Sequence, residues 1–252
     1  MKKFLSILLI LIFCLVFIAI RNSSPSVIIS DLIKKGQIQE GQLRYKIYLF
    51  GVLPVGEAIL GTKKIEDYNG QKVYHLNARA ESLRFFSKFF SGHAILDSFI
   101  DISELNPILF KQKLTVTGKP DINKEVFYDQ KEAIMSISGV KRQILPNTQD
   151  PLSAIFNLRR LDFDRTKNFE MNINSNQKNY VLKGTTKKRD LSINKKRYKI
   201  VLVKAEIRRR DKSPYHKSSV NMVLLKENAN TPVLINIFAS GVLINVKLVA
   251  IE

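Results

Sequence analysis

Residues 41–65 read GQLRYKIYLFGVLPVGEAILGTKKI, and this stretch decides the fold class. Leu43, Tyr45, Ile47 and Leu49 fall on one side of an alternating pattern, with Arg44, Lys46 and Tyr48 on the other. Side chains of a strand point to its two faces in turn, so a period of two describes a half-buried strand. Phe50-Gly51-Val52-Leu53-Pro54 reads as a turn. Val55 to Ile65 returns as a second strand, with Gly56 and Gly61 marking bends. Asp67-Tyr68-Asn69-Gly70 closes the next hairpin, because Asn and Gly both tolerate the left-handed backbone of a two-residue turn. Val73 to Ala80 is the third strand.

The same pattern continues along the chain. Strands are expected at His93–Ile100, Ile108–Thr117, Glu125–Tyr128 and Ala133–Ser138, then near Phe169–Asn174, Tyr180–Thr186, Tyr198–Arg208, Ser218–Lys226, Pro232–Ala239 and Val242–Ile251. One segment has helical character. Asp150 suits an N-cap, Pro151 the first helical position, and Leu152, Ile155, Phe156 and Arg159 follow at helical spacing. With strands linked by short turns, local antiparallel pairing is the simplest topology. The prediction for 41–252 is a single β-rich domain: a long curved antiparallel sheet or an incomplete barrel, with one short helix packed on it. Leu83 to Phe90 carries two phenylalanine pairs, Phe85-Phe86 and Phe89-Phe90, fitting either a helical turn or a loop tucked over the core.

The chain begins differently. Lys2 and Lys3 precede an apolar run from Phe4 to Ile20, broken by Ser6 and closed by Arg21. This is the form of an export signal. The run would span roughly 25 Å as a helix at about 1.5 Å per residue, close to a membrane core of about 30 Å. Ala19 has no second small residue at the offset a cleavage site needs. The expectation is therefore an uncleaved N-terminal membrane-anchor helix over 1–21, with a polar linker over 22–40. The body would face the periplasm from the inner membrane, or lie free there if the signal is cleaved. Cys14, the only cysteine, follows Phe13 in mid-run, which suits a buried apolar side chain and not a lipidation site. An exported body would then lack an intrachain disulfide. Cytoplasmic partners such as ATP, NAD and genomic DNA are disfavoured by the same location.

The formal net charge is +19, from 41 Lys and Arg against 22 Asp and Glu. Three clusters concentrate the excess: Lys187-Lys188-Arg189, Lys195-Lys196-Arg197 and Arg208-Arg209-Arg210. Spaced like strand ends, they could form one positive face for anionic lipid or glycan. A solvated face made basic by AT-rich coding explains them equally well. The clusters lack interleaved aromatics and any recognition motif, which argues against nucleic acid.

Gly41-Gln42-Leu43-Arg44-Tyr45, Gly51 to Ala58, Asn106-Pro107 with Phe110, Phe127-Tyr128-Asp129, Asp150 to Arg159, Pro232-Val233 and Gly241-Val242-Leu243 form an ordered set of landmarks. In that order the chain resembles the exported bacterial proteins of domain-of-unknown-function family 3108, over about 41–250. The resemblance implies an extracytoplasmic, β-rich domain and supplies no activity, ligand or cofactor.

Chemistry-bearing residues are sparse. His75, His93 and His216 have no metal-ligand spacing and no cysteine to join them. Asp97 and Asp101 share one strand face, but no Gly-x-Ser-x-Gly elbow accompanies any histidine. No catalytic, metal or cofactor site is assigned. Asp150–Arg159 reads as a helix locked on the sheet, with Arg159 within reach of Glu57; alternatively Arg159 faces a cavity and binds an anion. Three functions remain. A binder of an amphiphilic or lipid-linked ligand, with Phe85, Phe86, Phe89 and Phe90 at its mouth and basic residues at its rim, requires an apolar cavity of several hundred Å³. A protein- or glycan-docking module requires a closed core and a basic outer face. A hydrolase requires His75 or His93 in a cleft beside a carboxylate.

Overall fold

The alternation at 43–49 becomes β1 (Leu43–Leu49), the middle of one large sheet. A computed structural model describes residues 24–34, 42–83, 91–175, 177–210, 218–227 and 229–252. The expected anchor over 1–21, the four phenylalanines and His216 lie outside the described residues. Among the described residues, no helix is long and apolar enough to cross a membrane.

From β1 the chain meanders through β2 (Leu53–Tyr68), β3 (Gln71–Ser82), β4 (Gly92–Asp101), β5 (Pro107–Val116), β6 (Ile122–Asp129), β7 (Ile134–Ile137) and β8 (Val140–Gln143). A second meander holds β9 (Asn168–Ser175), β10 (Lys178–Ile193), β11 (Lys196–Arg209), β12 (Ser218–Leu225), β13 (Thr231–Ala239) and β14 (Val242–Ile251). Every pairing between these strands is antiparallel, and β1 joins the two meanders by pairing with β14. The hairpins at Asn69-Gly70, Ser138-Gly139, Asn194-Lys195 and Ser240-Gly241 have positive φ at both central residues, the turn whose twist matches a two-residue hairpin.

The sheet is not closed: β8 and β9 are its edges. The segment 144–149 runs between them. Ile144 N–H donates to Ala133 O at 2.9 Å, and Gln149 exchanges backbone bonds with Asn172 and Asn174 of β9, each 2.8 Å. Asn172 and Asn179 side chains donate to Pro146 O and Gln143 O. A mainly β body with an incomplete barrel is thus what the structure has.

Among the described residues two helices pack on the sheet, where one was expected. Residues 25–34, read as linker, form α1 (Pro25–Lys34). Ile28, Ile29 and Leu32 are buried with Ile193, Tyr198, Ile200, Leu225, Val233 and Ile251, so α1 docks on β10, β13 and β14. The expected helix is α2 (Pro151–Arg159). It touches β3 and β4 of one meander and β9 of the other, so it lies on the concave side between them.

Candidate functional site

Residues directly opposite on neighbouring strands share a sheet face. One row runs Val246, Ile235, Met222, Val203 across β14 to β11. Its neighbour runs Ile237, Val220, Ala205, Gly184, Phe169 from β13 to β9. On the other side of β1 a row runs Leu60, Ala78, Leu96 across β2 to β4. All three rows look inward at α2, whose Leu152, Ile155 and Leu158 close the remaining side. Between them the side chains leave a cavity of about 490 Å³. Its walls are aliphatic except for Tyr45, Tyr180 and Ser175. The Tyr45 hydroxyl donates to Pro232 O at 3.0 Å, and burial pushes its phenol well up, with Arg159 pulling the other way.

Small residues make this room. Ala58, Ala78, Ala154 and Ala205 all line it. Gly184 serves a neighbouring need: a Cβ there would sit 2.5 Å from the Phe169 ring and 2.8 Å from Lys204 O. Only a glycine lets that ring lie across β10.

The helix that roofs the cavity is held by a buried polar lock. Asp150 has 0% exposure. One carboxylate oxygen accepts from the N–H groups of Leu152 and Ser153 at 2.8 and 3.1 Å, and the other accepts from Ser98 Oγ at 2.5 Å. Ser153 Oγ in return accepts from Asp150 N–H at 2.9 Å, completing a capping box. Burial raises the Asp150 pKa while these donors oppose it. Beside it, Gln149 Nε2 donates to Asn106 Oδ1, and Asn157 Nδ2 donates to Gln149 Oε1, each 2.8 Å.

At the helix C-terminus, Arg159 does not reach Glu57. Glu57 is adjacent to Ala58 and so lies on the opposite face of β2. Arg159 donates to Ala229 O at 3.3 Å, and its own carbonyl accepts from Asn230 Nδ2 at 2.7 Å. It lines a crevice of about 30 Å³ beside the main cavity, with Leu43 and Phe156 among its neighbours.

The three basic clusters do not gather on one face. Lys195, Lys196 and Arg197 form the exposed tip of the β10–β11 hairpin, and Lys187, Lys188 and Arg189 lie along β10 near it. Arg208, Arg209 and Arg210 lie at the far end of β11, roughly 35 Å from the tip at about 3.3 Å per residue. Several are already paired: Lys188 with Asp164 at 2.7 Å, Arg208 with Glu206 at 2.6 Å, and Arg210 with Glu170 at 2.7 Å. A depression of about 860 Å³ along β9–β12 has Glu170, Lys183, Lys204, Glu206 and Arg208 in its lining beside uncharged residues such as Phe169 and Thr185. It is a charged groove of mixed sign.

His75 and His93 part company. His93 is exposed at the start of β4. His75 is buried, with Nε2 2.7 Å from Asp97 Oδ1 and Nδ1 3.3 Å from Glu66 Oε1. Its ring stacks on Phe99 with centroids 4.3 Å apart. A carboxylate stands beside it, but it lies on the opposite face of β3 from Ala78 and lines none of the cavities described above. Among the described residues, no group of three or more His, Cys, Asp or Glu gathers in a way that could hold a metal ion.

Comparison with known proteins agrees with this architecture. The family model described as "Protein of unknown function (DUF3108)" matches residues 44–241. No curated protein matches the chain. Among solved structures, it is similar to a β-barrel-like protein of domain of unknown function DUF1849 from Brucella abortus. The TM-score is 0.60 at 11% identity, over 86% of this chain and 98% of that one. That likeness is one of fold.

Proposed function

The chain belongs to the DUF3108 family, and from that premise we propose that it is a non-enzymatic binding module of the cell envelope that takes the apolar part of an amphiphile into its barrel. The observation that carries this reading is the aliphatic cavity of about 490 Å³ beneath α2. Ligand sites of small molecules commonly have about 300–1,000 Å³ with few polar groups. The aliphatic walls of such a concavity gain by leaving water when an alkyl chain covers them. Burying an alkyl chain recovers about 0.8 kcal/mol per methylene. In this proposal the Phe4–Ile20 run tethers the body to the membrane from which the ligand is drawn, with the barrel on the periplasmic side.

Hydrolysis has less support. The only buried histidine among the described residues is enclosed by Phe99 and two carboxylates, away from the cavity. Docking through one basic face also has less support, because the three clusters are apart and partly neutralised.

The test compares lipids that accompany two forms of the full chain from an exporting host, the natural sequence and Ala205→Phe. Extracted lipid is identified by mass spectrometry. One amphiphile class enriched on the natural chain and depleted on Ala205→Phe is the expected result. Identical lipid profiles on both forms would move the assignment to a docking module.

A further inference from the structure

The inward row through Val220 and Ile237 continues past the cavity toward one end of the sheet. Ile237 is opposite Ile244 of β14, Ile244 is opposite Leu49 of β1, and Leu49 is opposite Leu53, the first residue of β2. Leu53 is 45% exposed, so an unbroken aliphatic track leads from the cavity wall to the surface. α2 does not extend over this end. It starts beside Ser98, midway along β4, and finishes at Ala229, in the turn between β12 and β13 at the opposite end. Around the exit, apolar side chains are left in the open. Among the described residues seven large hydrophobic side chains are exposed, and Phe50, Val52, Leu53 and Phe238 of these share two adjoining hairpins, β1–β2 and β13–β14. Phe50 N–H donates to Leu243 O at 2.8 Å and Phe238 is opposite Leu243, so both residues neighbour it across the ladder. Phe50 is 59% exposed and has a φ of +51°. Asn or Gly suits that backbone better, and an exposed ring gains nothing from the core. Neither turn chemistry nor packing accounts for a phenylalanine at this tip. Tyr48 and the exposed Lys46 follow Phe50 on its strand face, with Lys247 and Glu57 opposite Lys46. Ring, phenol and ammonium in that order match the gradient from acyl chain to headgroup at a bilayer surface.

We propose that this end is the mouth of the cavity and that Phe50, Val52, Leu53 and Phe238 enter the surface of a phospholipid bilayer. A tail then passes between bilayer and cavity along Leu53, Leu49 and Ile244. This rests on the reading of the cavity as a ligand site and adds the ligand's source and route. The occupant follows from the continuity of the track. An alkyl chain gives up its favourable transfer, methylene by methylene, wherever it meets water. An exit lined without interruption by aliphatic side chains therefore serves only if its far end touches the apolar phase. The contact also fixes an orientation. β14 starts at this end with Val242 and finishes with Ile251, which is buried with α1. Those ends are roughly 30 Å apart at about 3.3 Å per residue. A chain tethered ahead of α1 lies with β14 along the membrane, touching it at both ends, and does not stand on α1 with the mouth in water.

The experiment uses the full chain in liposomes of phosphatidylcholine and phosphatidylglycerol whose acyl chains are brominated or plain. The chain has no tryptophan, so each of Phe50→Trp, Phe238→Trp and Phe127→Trp reports its own position by bromine quenching. Phe127 is 44% exposed on β6, in the other meander, and serves as the reference. The expected result is quenching of Phe50→Trp and Phe238→Trp at least about threefold stronger than of Phe127→Trp, because side chains seated at the headgroup boundary meet the bromines. Adding Val52→Asp and Leu53→Asp to Phe50→Trp should bring its quenching to within about twofold of the reference. Equal quenching at the three positions, or a chain that does not float with the liposomes, overturns the mouth. Should Phe50→Trp not fold, Val52→Trp takes its place in the same comparison. The two readings fail separately. Weak quenching with an amphiphile still depleted on Ala205→Phe overturns the mouth and leaves the cavity standing. Strong quenching with identical lipid on the natural chain and Ala205→Phe overturns the cavity and the route along Leu49.

Discussion

Over β3–β7 the concave face carries Tyr74, Phe110, Tyr128 and Met135, and Phe156 of α2 fills the space between them. Over β11–β14 the corresponding positions are Val203, Ala205, Val220, Met222 and Ile235, and the cavity begins there. Both sides are antiparallel meanders roofed by the same nine-residue helix. Topology does not separate them; side-chain volume does. The larger hollow lies where alanine and valine stand at inward sites, and the side that carries Phe110, Tyr128 and Phe156 keeps less room.

The largest effect should come from cutting a filled site and an open one in parallel. Phe110→Ala is expected to cost about 3–5 kcal/mol, the range for buried aromatics. Met222→Ala should cost about 2 kcal/mol or less, because a side chain facing a void has fewer contacts to lose. Denaturant melts measure both. Equal losses would erase the distinction between the two sides.

The lock at the helix start ties the sides together. Asp150→Ala removes the cap and leaves buried donors unmet, a cost of about 3 kcal/mol. Asp150→Asn keeps an oxygen for Leu152 and Ser153 and should stay within about 1 kcal/mol at neutral pH. Burial raises the folded-state pKa of Asp150 above its unfolded value. Its contribution is therefore greatest below the unfolded carboxylate value and is lost as pH rises through the folded one. On acidification the balance should move against Asp150→Asn relative to the natural chain. Asp164 runs the other way: Lys188 and Lys226 hold it at about 2. That contribution is in place above the ordinary carboxylate range and fades as pH falls toward about 2. Melts of Asp150→Asn and Asp164→Asn across a pH series separate the opposed slopes; a common slope would remove the burial account of Asp150.

Smaller still is Ala205→Phe, expected to change stability by less than about 1 kcal/mol because the ring enters existing space and not a packed core. A loss of several kcal/mol in a thermal melt would mean that β11 faces no such room. Smallest is Arg208→Gln, which removes an exposed pair with Glu206 and should alter stability by less than about 1 kcal/mol. A larger drop would show that the basic end of β11 is a structural part of the barrel.

The strands and α2 were legible because their signals are local: alternation at 43–49, Asn69-Gly70, and Asp150-Pro151 before Leu152. The missed helix α1 had a local signal too. Ile28, Ile29, Leu32 and Ile33 follow a helical stripe, but the segment is short and its stability comes from docking on β10, β13 and β14. β10 runs on to Ile193, past the lysines that suggested its end, because the β11 ladder pairs it residue by residue. The grouping of the basic clusters and the cavity were not legible. Both depend on which residues stand opposite one another, and register is decided across the sheet.

The pairing of β1 with β14 has a consequence in time. Every other neighbour in the sheet is a successive strand, so each meander can zip up from short-range contacts. The bond between Arg44 and Glu252, and the two backbone bonds joining Gln42 to Glu252, close a loop of nearly the whole body. Such a closure comes late, since distant contacts must first overcome chain entropy. A chain delivered from its N-terminus would hold two half-built walls until β14 arrives. The chamber, and any affinity it carries, would be the last thing to form.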